Sequence, residues 1–134
     1  MVCALSEAIP DGLELMSENL FDLIGTHDPA KTLIRTPDGR KITYGEMERG
    51  TARLANLLLS LGVGPGDRVA AQVEKSPEAI QIYLACLRAG AVYLPLNTAC
   101  AQGELEYFFG DAQPRVVVCD PDRCAALWLI PALP

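Results

Sequence analysis

The chain has 134 residues, of which half are hydrophobic and 21% are charged, and its formal net charge is -6. This length suits one ordinary globular domain with a real core, and not two. The acidic balance argues against a nucleic-acid backbone or an anionic membrane surface as a partner, since both attract basic proteins.

The first twenty residues bear on location, because they carry four acidic residues and no Lys or Arg. A secretory signal begins with basic residues and an apolar stretch, and a mitochondrial presequence is rich in Arg. No apolar run in the chain reaches the roughly 20 residues that span a bilayer. We therefore expect a cytoplasmic protein with no membrane partner.

The cysteine pattern favours neither a disulfide framework nor a metal site. The number of cysteines is odd, no CxxC pair occurs, and His27 is the only histidine. A zinc site requires a tighter cluster of thiolates and imidazoles. We expect reduced cysteines that act as small apolar residues. They are Cys3, Cys86, Cys100, Cys119 and Cys124.

The first predicted elements are a short helix and a β-hairpin. Residues 1–16 show no periodicity and are expected to form a loose lead-in. Ser17 can cap a short helix that stops at Gly25. The runs Thr32–Arg35 and Lys41–Thr43 flank a Pro-Asp-Gly turn, in which Pro presets one dihedral angle and Gly accepts a positive φ.

A capping box marks the clearest helix start. The Thr43 side chain can accept a hydrogen bond from the backbone of Glu46, while the Glu46 carboxylate reaches back to the amide of Thr43. The helix that follows is amphipathic and is expected to end at Gly62. Its predicted buried residues are Met47, Thr51, Leu54, Leu58 and Leu61.

A glycine-rich segment, residues 62–67, follows this helix and invites comparison with a phosphate-binding loop. Such loops open a helix whose amides face the phosphate. These glycines instead leave a helix and enter the predicted strand Arg68–Val73. We interpret the segment as a tight turn between a helix and a strand.

The rest of the chain alternates helices with apolar strands. A helix is predicted from Ser76-Pro77 to Gly90, followed by the strand Ala91–Leu96, a helix near 103–109 and the strand Arg115–Cys119. Continuous apolar strands that alternate with helices indicate an α/β fold, with a parallel sheet covered on both faces. The predicted buried residues of the two helices are Ile80, Tyr83, Leu84, Leu87, Leu105, Phe108 and Phe109.

Two segments resemble the first and second core motifs of the adenylate-forming enzymes, which include acyl-CoA synthetases, peptide-synthetase adenylation domains and luciferases. They are Ile42–Met47, with Met47 in place of the more usual Leu, and Leu87–Asn97. The resemblance covers residues 17–123 and implies a partial parallel sheet with flanking helices, the N-terminal part of the large domain of these enzymes. Within the superfamily the chain looks most like the malonyl-CoA synthetases, on segments 70–76, 93–98, 104–108 and 117–121.

The resemblance implies a two-step reaction of a longer enzyme. A carboxylate, with malonate favoured, attacks the α-phosphate of ATP and gives an acyl-adenylate and pyrophosphate. The thiol of coenzyme A then displaces AMP to form a thioester. Mg²⁺ is implied as the ion that offsets the triphosphate charge, and malonate would require a cationic residue for its second carboxylate.

No catalytic, cofactor-binding or metal residue is assigned in this chain. The family's phosphate loop normally follows this segment, and Lys31, Lys41 and Lys75 do not lie in a glycine-rich loop. We therefore expect the segment alone to be inactive and to bind no cofactor tightly. Arg88 and Glu74 are interpreted as solvated charges rather than ligand-binding residues. The motif residues expected to be structural are Tyr44, Glu46, Gly90, Tyr93 and Pro95.

The tail, residues 124–134, carries no charge. Either it folds back and covers the sheet, or the reading frame is truncated near Arg123. Truncation is favoured, because the predicted sheet otherwise lacks strands and cover. The expected organisation is a lead-in at 1–16, a segment of an AMP-binding domain at 17–123 and the apolar tail, with self-association through exposed apolar surface.

Three hypotheses of function follow from these features. The favoured one is the N-terminal portion of an ATP-dependent carboxylic acid–CoA ligase, with malonate as the favoured substrate of the full-length form. The second is a non-catalytic α/β module that needs a partner chain. The third is part of a peptide-synthetase adenylation domain.

Overall fold

The computed structural model of the chain describes residues 20–127, so the predicted lead-in, the cap at Ser17 and residues 128–134 lie outside the described part. A two-stranded antiparallel hairpin and a three-stranded parallel sheet with flanking helices make up the fold, which confirms the predicted α/β class. The helices are α1 (Asp22–Gly25), α2 (Tyr44–Ser60), α3 (Pro77–Ala89), α4 (Gln102–Ala112) and α5 (Pro121–Leu127). The strands are β1 (Thr32–Arg35), β2 (Lys41–Thr43), β3 (Arg68–Gln72), β4 (Val92–Pro95) and β5 (Val116–Cys119).

Strands β1 and β2 form the predicted hairpin. In the turn, Gly39 has a φ of 88° and its amide donates to the carbonyl of Thr36 at 3.0 Å. Beyond the turn, the Arg40 guanidinium lies 2.7 Å from the carboxylate of Glu78 on α3. This ion pair is exposed, so it orients the hairpin beside α3 more than it stabilises the fold.

The capping box at the start of α2 is confirmed. The Thr43 hydroxyl accepts from the Glu46 amide at 3.2 Å, and the Glu46 carboxylate accepts from the Thr43 amide at 2.8 Å. The backbone hydrogen bond from Thr43 holds the pKa of Glu46 below its ordinary value, because it favours the ionised carboxylate. Both orphan amides at this helix end are therefore satisfied.

Replacing the cap tests this part of the fold. Thr43→Ala removes the acceptor for the Glu46 amide and is expected to lower the free energy of unfolding by about 1 kcal/mol. Thr43→Ser keeps a hydroxyl at the same place and is the matched control, with less than about half that loss. Urea unfolding followed by circular dichroism measures both. Equal losses for Ala and Ser would show that the cap bond contributes nothing.

The glycine-rich segment 62–67 is the tight turn that the sequence predicts. Gly62 and Gly66 both have a φ of 82°, which an L side chain rarely adopts. The Asp67 carboxylate accepts from the amide of Gly64 at 2.8 Å, and the Gly66 amide donates to the carbonyl of Gly90 at 2.9 Å. The turn thus joins the end of α2 to β3 and rests against the end of α3.

The parallel sheet has the strand order β4-β3-β5. Its centre is β3, in which Val69, Ala70, Ala71 and Gln72 are buried. Helices α2 and α3 cover the face to which Val69 belongs, and α4 and α5 cover the face to which Ala70 belongs. Both faces are therefore covered, as expected for a parallel sheet.

Four residues predicted to be buried are at least a third exposed, and these predictions were wrong. Small residues are buried in their place: Ala55 on α2, and Ala85 and Cys86 on α3. Helix α2 approaches α3 so closely at Gly50 that an added Cβ would lie 2.6 Å from the Gln81 amide nitrogen. Close approach through small residues leaves the larger apolar side chains at the margins. The exposed four are Leu61, Ile80, Tyr83 and Phe108.

Helix α5 was not predicted. Pro121 occupies its first position, where a missing amide proton costs nothing. Leu127 is 5% exposed and packs with Leu105 and Phe109 of α4. Helix α5 thus helps to cover the sheet as far as Leu127. It begins before and ends after Arg123, where the sequence predicts the end of the domain segment. No helix within residues 20–127 is long and apolar enough to cross a bilayer.

Candidate functional site

The carboxyl ends of the three parallel strands lie at one edge of the sheet. The chain leaves β3 for α3 on one face, whereas it leaves β4 and β5 for α4 and α5 on the other face. In open parallel sheets, ligands bind in the crevice where neighbouring connections diverge in this way. We call the space between the loops 73–76 and 96–101 the β3 crevice, and it is the candidate site of the described chain.

Gln72 is the last residue of β3 and directly precedes the loop 73–76. Its side chain is 0% exposed, and Nε2 donates to the backbone carbonyl of Asn97 at 3.0 Å. Within residues 20–127, its Oε1 has no hydrogen-bond partner. The sequence places Gln72 in a strand but does not reveal its burial, because a single glutamine at a strand end carries no local signal of burial.

The loop 96–101 forms one wall of the crevice and is closely hydrogen-bonded. The Leu96 amide donates to the carbonyl of Ala71 at 2.9 Å and extends the pairing of β4 with β3. The Asn97 carbonyl accepts from the Cys100 amide at 3.0 Å, and the Asn97 side chain accepts from the Ala99 amide at 2.9 Å. Such a turn, in which an Asn side chain bonds the backbone two residues on, holds a loop in one conformation.

The loop 73–76 forms the opposite wall and starts α3. The Ser76 hydroxyl accepts from the Ala79 amide at 3.1 Å, which confirms the predicted helix start. Glu74 and Lys75 are exposed in this loop. Glu74 therefore lies at the crevice, while its interpretation as a solvated charge stays a prediction.

The other predicted structural residues lie away from the crevice or in its walls. Gly90 ends α3 with a φ of 71°, as the sequence predicts. Arg88 is exposed, and its guanidinium carbon lies 4.8 Å from the centre of the Phe21 ring, so it forms a cation–π contact. Tyr93 of β4 packs edge-to-face on Tyr83 with ring centres 5.4 Å apart, and burial raises the pKa of its phenol.

An apolar groove lies between the hairpin and α3, with a volume of about 510 Å³. The exposed Ile80 and Tyr83 belong to its walls, together with Ile34 of β1 and Tyr93 of β4. Lys75 lies at the same groove and connects it with loop 73–76. Ile80 and Tyr83, which are exposed on α3, therefore face this groove.

The Cys86 thiol lies in the core between the sheet and helices α2 and α3. Burial raises the pKa of the Cys86 thiol to about 11, so this thiol is protonated at neutral pH and is a poor nucleophile. Across residues 20–127, no three His, Cys, Asp or Glu side chains are placed to hold a metal ion.

The sequence over residues 23–133 matches the family of AMP-binding enzymes. The chain belongs to this family. The resemblance of its two core motifs to the adenylate-forming enzymes is thus confirmed, and so is the assignment of the fold to the N-terminal part of such enzymes.

The similar proteins include acyl-CoA synthetases and large multi-domain synthetases. A feruloyl-CoA synthase from Amycolatopsis is 39% identical over 71% of this chain and 19% of its own length. Malpinin synthetase from Mortierella alpina is 34% identical over 91% of this chain and 2% of its own length. The crystal structure of MatB from Rhodopseudomonas palustris has a TM-score of 0.80 and 50% identity, over 85% of this chain and 23% of that one.

The chain therefore spans about a fifth of the length of two of these relatives: 19% of the feruloyl-CoA synthase and 23% of MatB. A crystal structure of MatB with ATP bound matches equally well, with the same TM-score of 0.80. The described residues supply a sheet, its helices and the β3 crevice.

Proposed function

We propose that the chain is the N-terminal portion of a malonate–CoA ligase, which joins malonate to coenzyme A through an acyl-adenylate at the expense of ATP. The family and the structural neighbours indicate an AMP-forming, adenylate-forming ligase. The observation that carries the finer proposal is the 50% identity with MatB over 85% of this chain. This identity exceeds the 39% with the feruloyl-CoA synthase and the 34% with malpinin synthetase.

Two other acid substrates remain outcomes of the test. An aromatic acid is favoured by the similarity to the feruloyl-CoA synthase and to a hydroxybenzoate–CoA ligase of Thauera aromatica, which is 40% identical over 62% of this chain. An amino acid is favoured by the similarity to nonribosomal peptide synthetases. All three use a carboxylate as the first nucleophile, so the acid that supports adenylation distinguishes them.

In this proposal the chain supplies scaffold rather than catalytic groups. ATP, Mg²⁺ and coenzyme A are held by residues of the longer enzyme, since the resemblance places the phosphate loop and its lysine after this segment. The assignment of residues 17–123 to the AMP-binding domain and a cytoplasmic location belong to the same proposal. The chain alone is expected to self-associate through exposed apolar residues, which include Ile80, Val92 and Tyr107.

The test compares the 134-residue chain with a longer polypeptide that contains it. We expect no exchange of labelled pyrophosphate into ATP by the chain alone with malonate, because adenylation requires groups that it does not carry. The longer enzyme is expected to show exchange with malonate at a kcat/KM at least about 100-fold above that with ferulate or amino acids.

Each outcome discriminates between the hypotheses. Exchange with an amino acid in place of malonate would favour a peptide-synthetase adenylation domain. Exchange by the 134-residue chain alone would contradict the scaffold role. A correctly folded longer polypeptide that shows no pyrophosphate exchange with any of these acids would favour the non-catalytic module.

A further inference from the structure

Gln72 is a polar side chain buried on a face of the sheet that is otherwise apolar. Side chains alternate along β3, so Gln72 lies on the same face as Ala70, where Leu105 and Phe109 of α4 pack. The Gln72 backbone is paired with Cys119 of β5. A glutamine is mostly exposed in proteins, so its complete burial here requires an explanation.

The contribution of Gln72 to core stability does not explain its burial. Its Nε2 makes one hydrogen bond, to the Asn97 carbonyl, while Oε1 has no partner within residues 20–127. An unmade hydrogen bond of a buried group destabilises a fold by at least as much as one neutral hydrogen bond stabilises it. Methionine has nearly the same length and shape without either polar atom, and it would fill this place without that penalty.

The one bond that Gln72 makes has a specific structural consequence. The Asn97 carbonyl oxygen accepts from both Gln72 Nε2 and the Cys100 amide, each at 3.0 Å. Two donors on one carbonyl fix its direction, because they occupy both lone pairs. The peptide plane after Asn97 is thereby held, and with it the loop 96–101 that leads into α4.

We propose that Gln72 is a positioning residue, which holds the loop 96–101 in the conformation that forms one wall of the β3 crevice. The side chain acts through the Asn97 carbonyl and does not itself touch a ligand, since it is 0% exposed. The role of the crevice in the ligase rests on the proposed function, but the control of the loop by Gln72 does not.

The test is amide hydrogen exchange in the 134-residue chain with Gln72→Met. We expect the Cys100 and Ala99 amides to exchange at least about tenfold faster, while the Leu94 amide in β4 is unchanged. The urea midpoint should stay the same or rise, because an unmade bond has been removed. Gln102→Met, at an exposed residue of α4, is the control and is expected to leave all these amides unchanged.

A measurement on the unmodified chain keeps the proposal testable if the variant is poorly folded. One carboxamide proton of Gln72 should be protected from exchange in ¹⁵N-resolved spectra, since Nε2 donates to a buried acceptor. Unprotected Gln72 protons would overturn the proposal. So would a folded Gln72→Met chain in which all amides exchange faster by the same factor, since that indicates a role in global stability alone.

Discussion

Phe109→Ala is expected to lower the free energy of unfolding by about 3–5 kcal/mol, the largest loss that we expect from a single truncation in this chain. Phe109 is 0% exposed and packs between Ala70 of the central strand, Leu105 and Leu127. Removing its ring leaves a cavity under α4 that neighbouring side chains fill only in part. Since small domains are stable by about 5–15 kcal/mol, much of the total is lost.

The neighbouring Phe108→Ala is the matched control. Phe108 is 37% exposed and contacts Tyr107 in an edge arrangement at the surface of α4. The same change in chemistry is therefore expected to cost less than about 1 kcal/mol. Urea unfolding of the two variants beside the unmodified chain measures the difference. Similar losses at 108 and 109 would contradict the observed orientation of α4 on the sheet.

The sequence predicted local features of the fold well, because their signals are local. A hydroxyl followed three residues later by a glutamate identifies the start of α2 at Thr43 and Glu46, and both bonds are present. Ser76, Pro77 and Gly90 likewise mark the ends of α3, where the cap, the first position and the left-handed glycine are as expected. These residues act on their own backbone neighbours, so no knowledge of the tertiary structure is needed.

Burial was predicted less well, because periodicity shows which residues are apolar and not which ones meet a partner. Ile80 and Tyr83 have the spacing of a buried stripe, yet they line the groove beside the hairpin. Helix α3 instead buries Ala85 and Cys86 against α2. Helix α5 has only seven residues, and its charged residues Asp122 and Arg123 lie together in the first turn, so it shows no amphipathic period to recognise.

The candidate site could not be predicted, because it depends on strand order. The β3 crevice exists because β5 lies on the far side of β3 from β4, and consecutive apolar strands in a sequence do not reveal that order. Gln72 gains its role only when Asn97 is brought beside it, 25 residues along the chain. The absence of an assigned catalytic residue in residues 20–127 stays a prediction.

The second large effect is expected from a graft into a complete enzyme. Residues 20–127 of this chain, placed in MatB from Rhodopseudomonas palustris in exchange for the matching segment, should give an active ligase. The two segments are 50% identical with a TM-score of 0.80, so they share the fold and half of their residues. A segment that supplies scaffold should support catalysis by groups that lie elsewhere in MatB.

A matched graft provides the control. The corresponding segment of an acyl-CoA synthetase from Brucella canis is 27% identical to this chain with a TM-score of 0.74, so it shares the fold but fewer contact residues. We expect this second graft to lose at least about 100-fold in kcat/KM, equivalent to about 2.7 kcal/mol, through poor packing against the remainder of the enzyme. Circular dichroism and thermal unfolding would establish that each graft is folded before its activity is compared.

The decisive measurement is the rate of thioester formation from malonate, ATP and coenzyme A by the graft that carries residues 20–127. We predict a kcat/KM within about tenfold of that of MatB itself, a difference of about 1.4 kcal/mol in the activation barrier. A folded graft that forms no thioester from malonate would contradict the proposal that this chain is the scaffold of a malonate–CoA ligase.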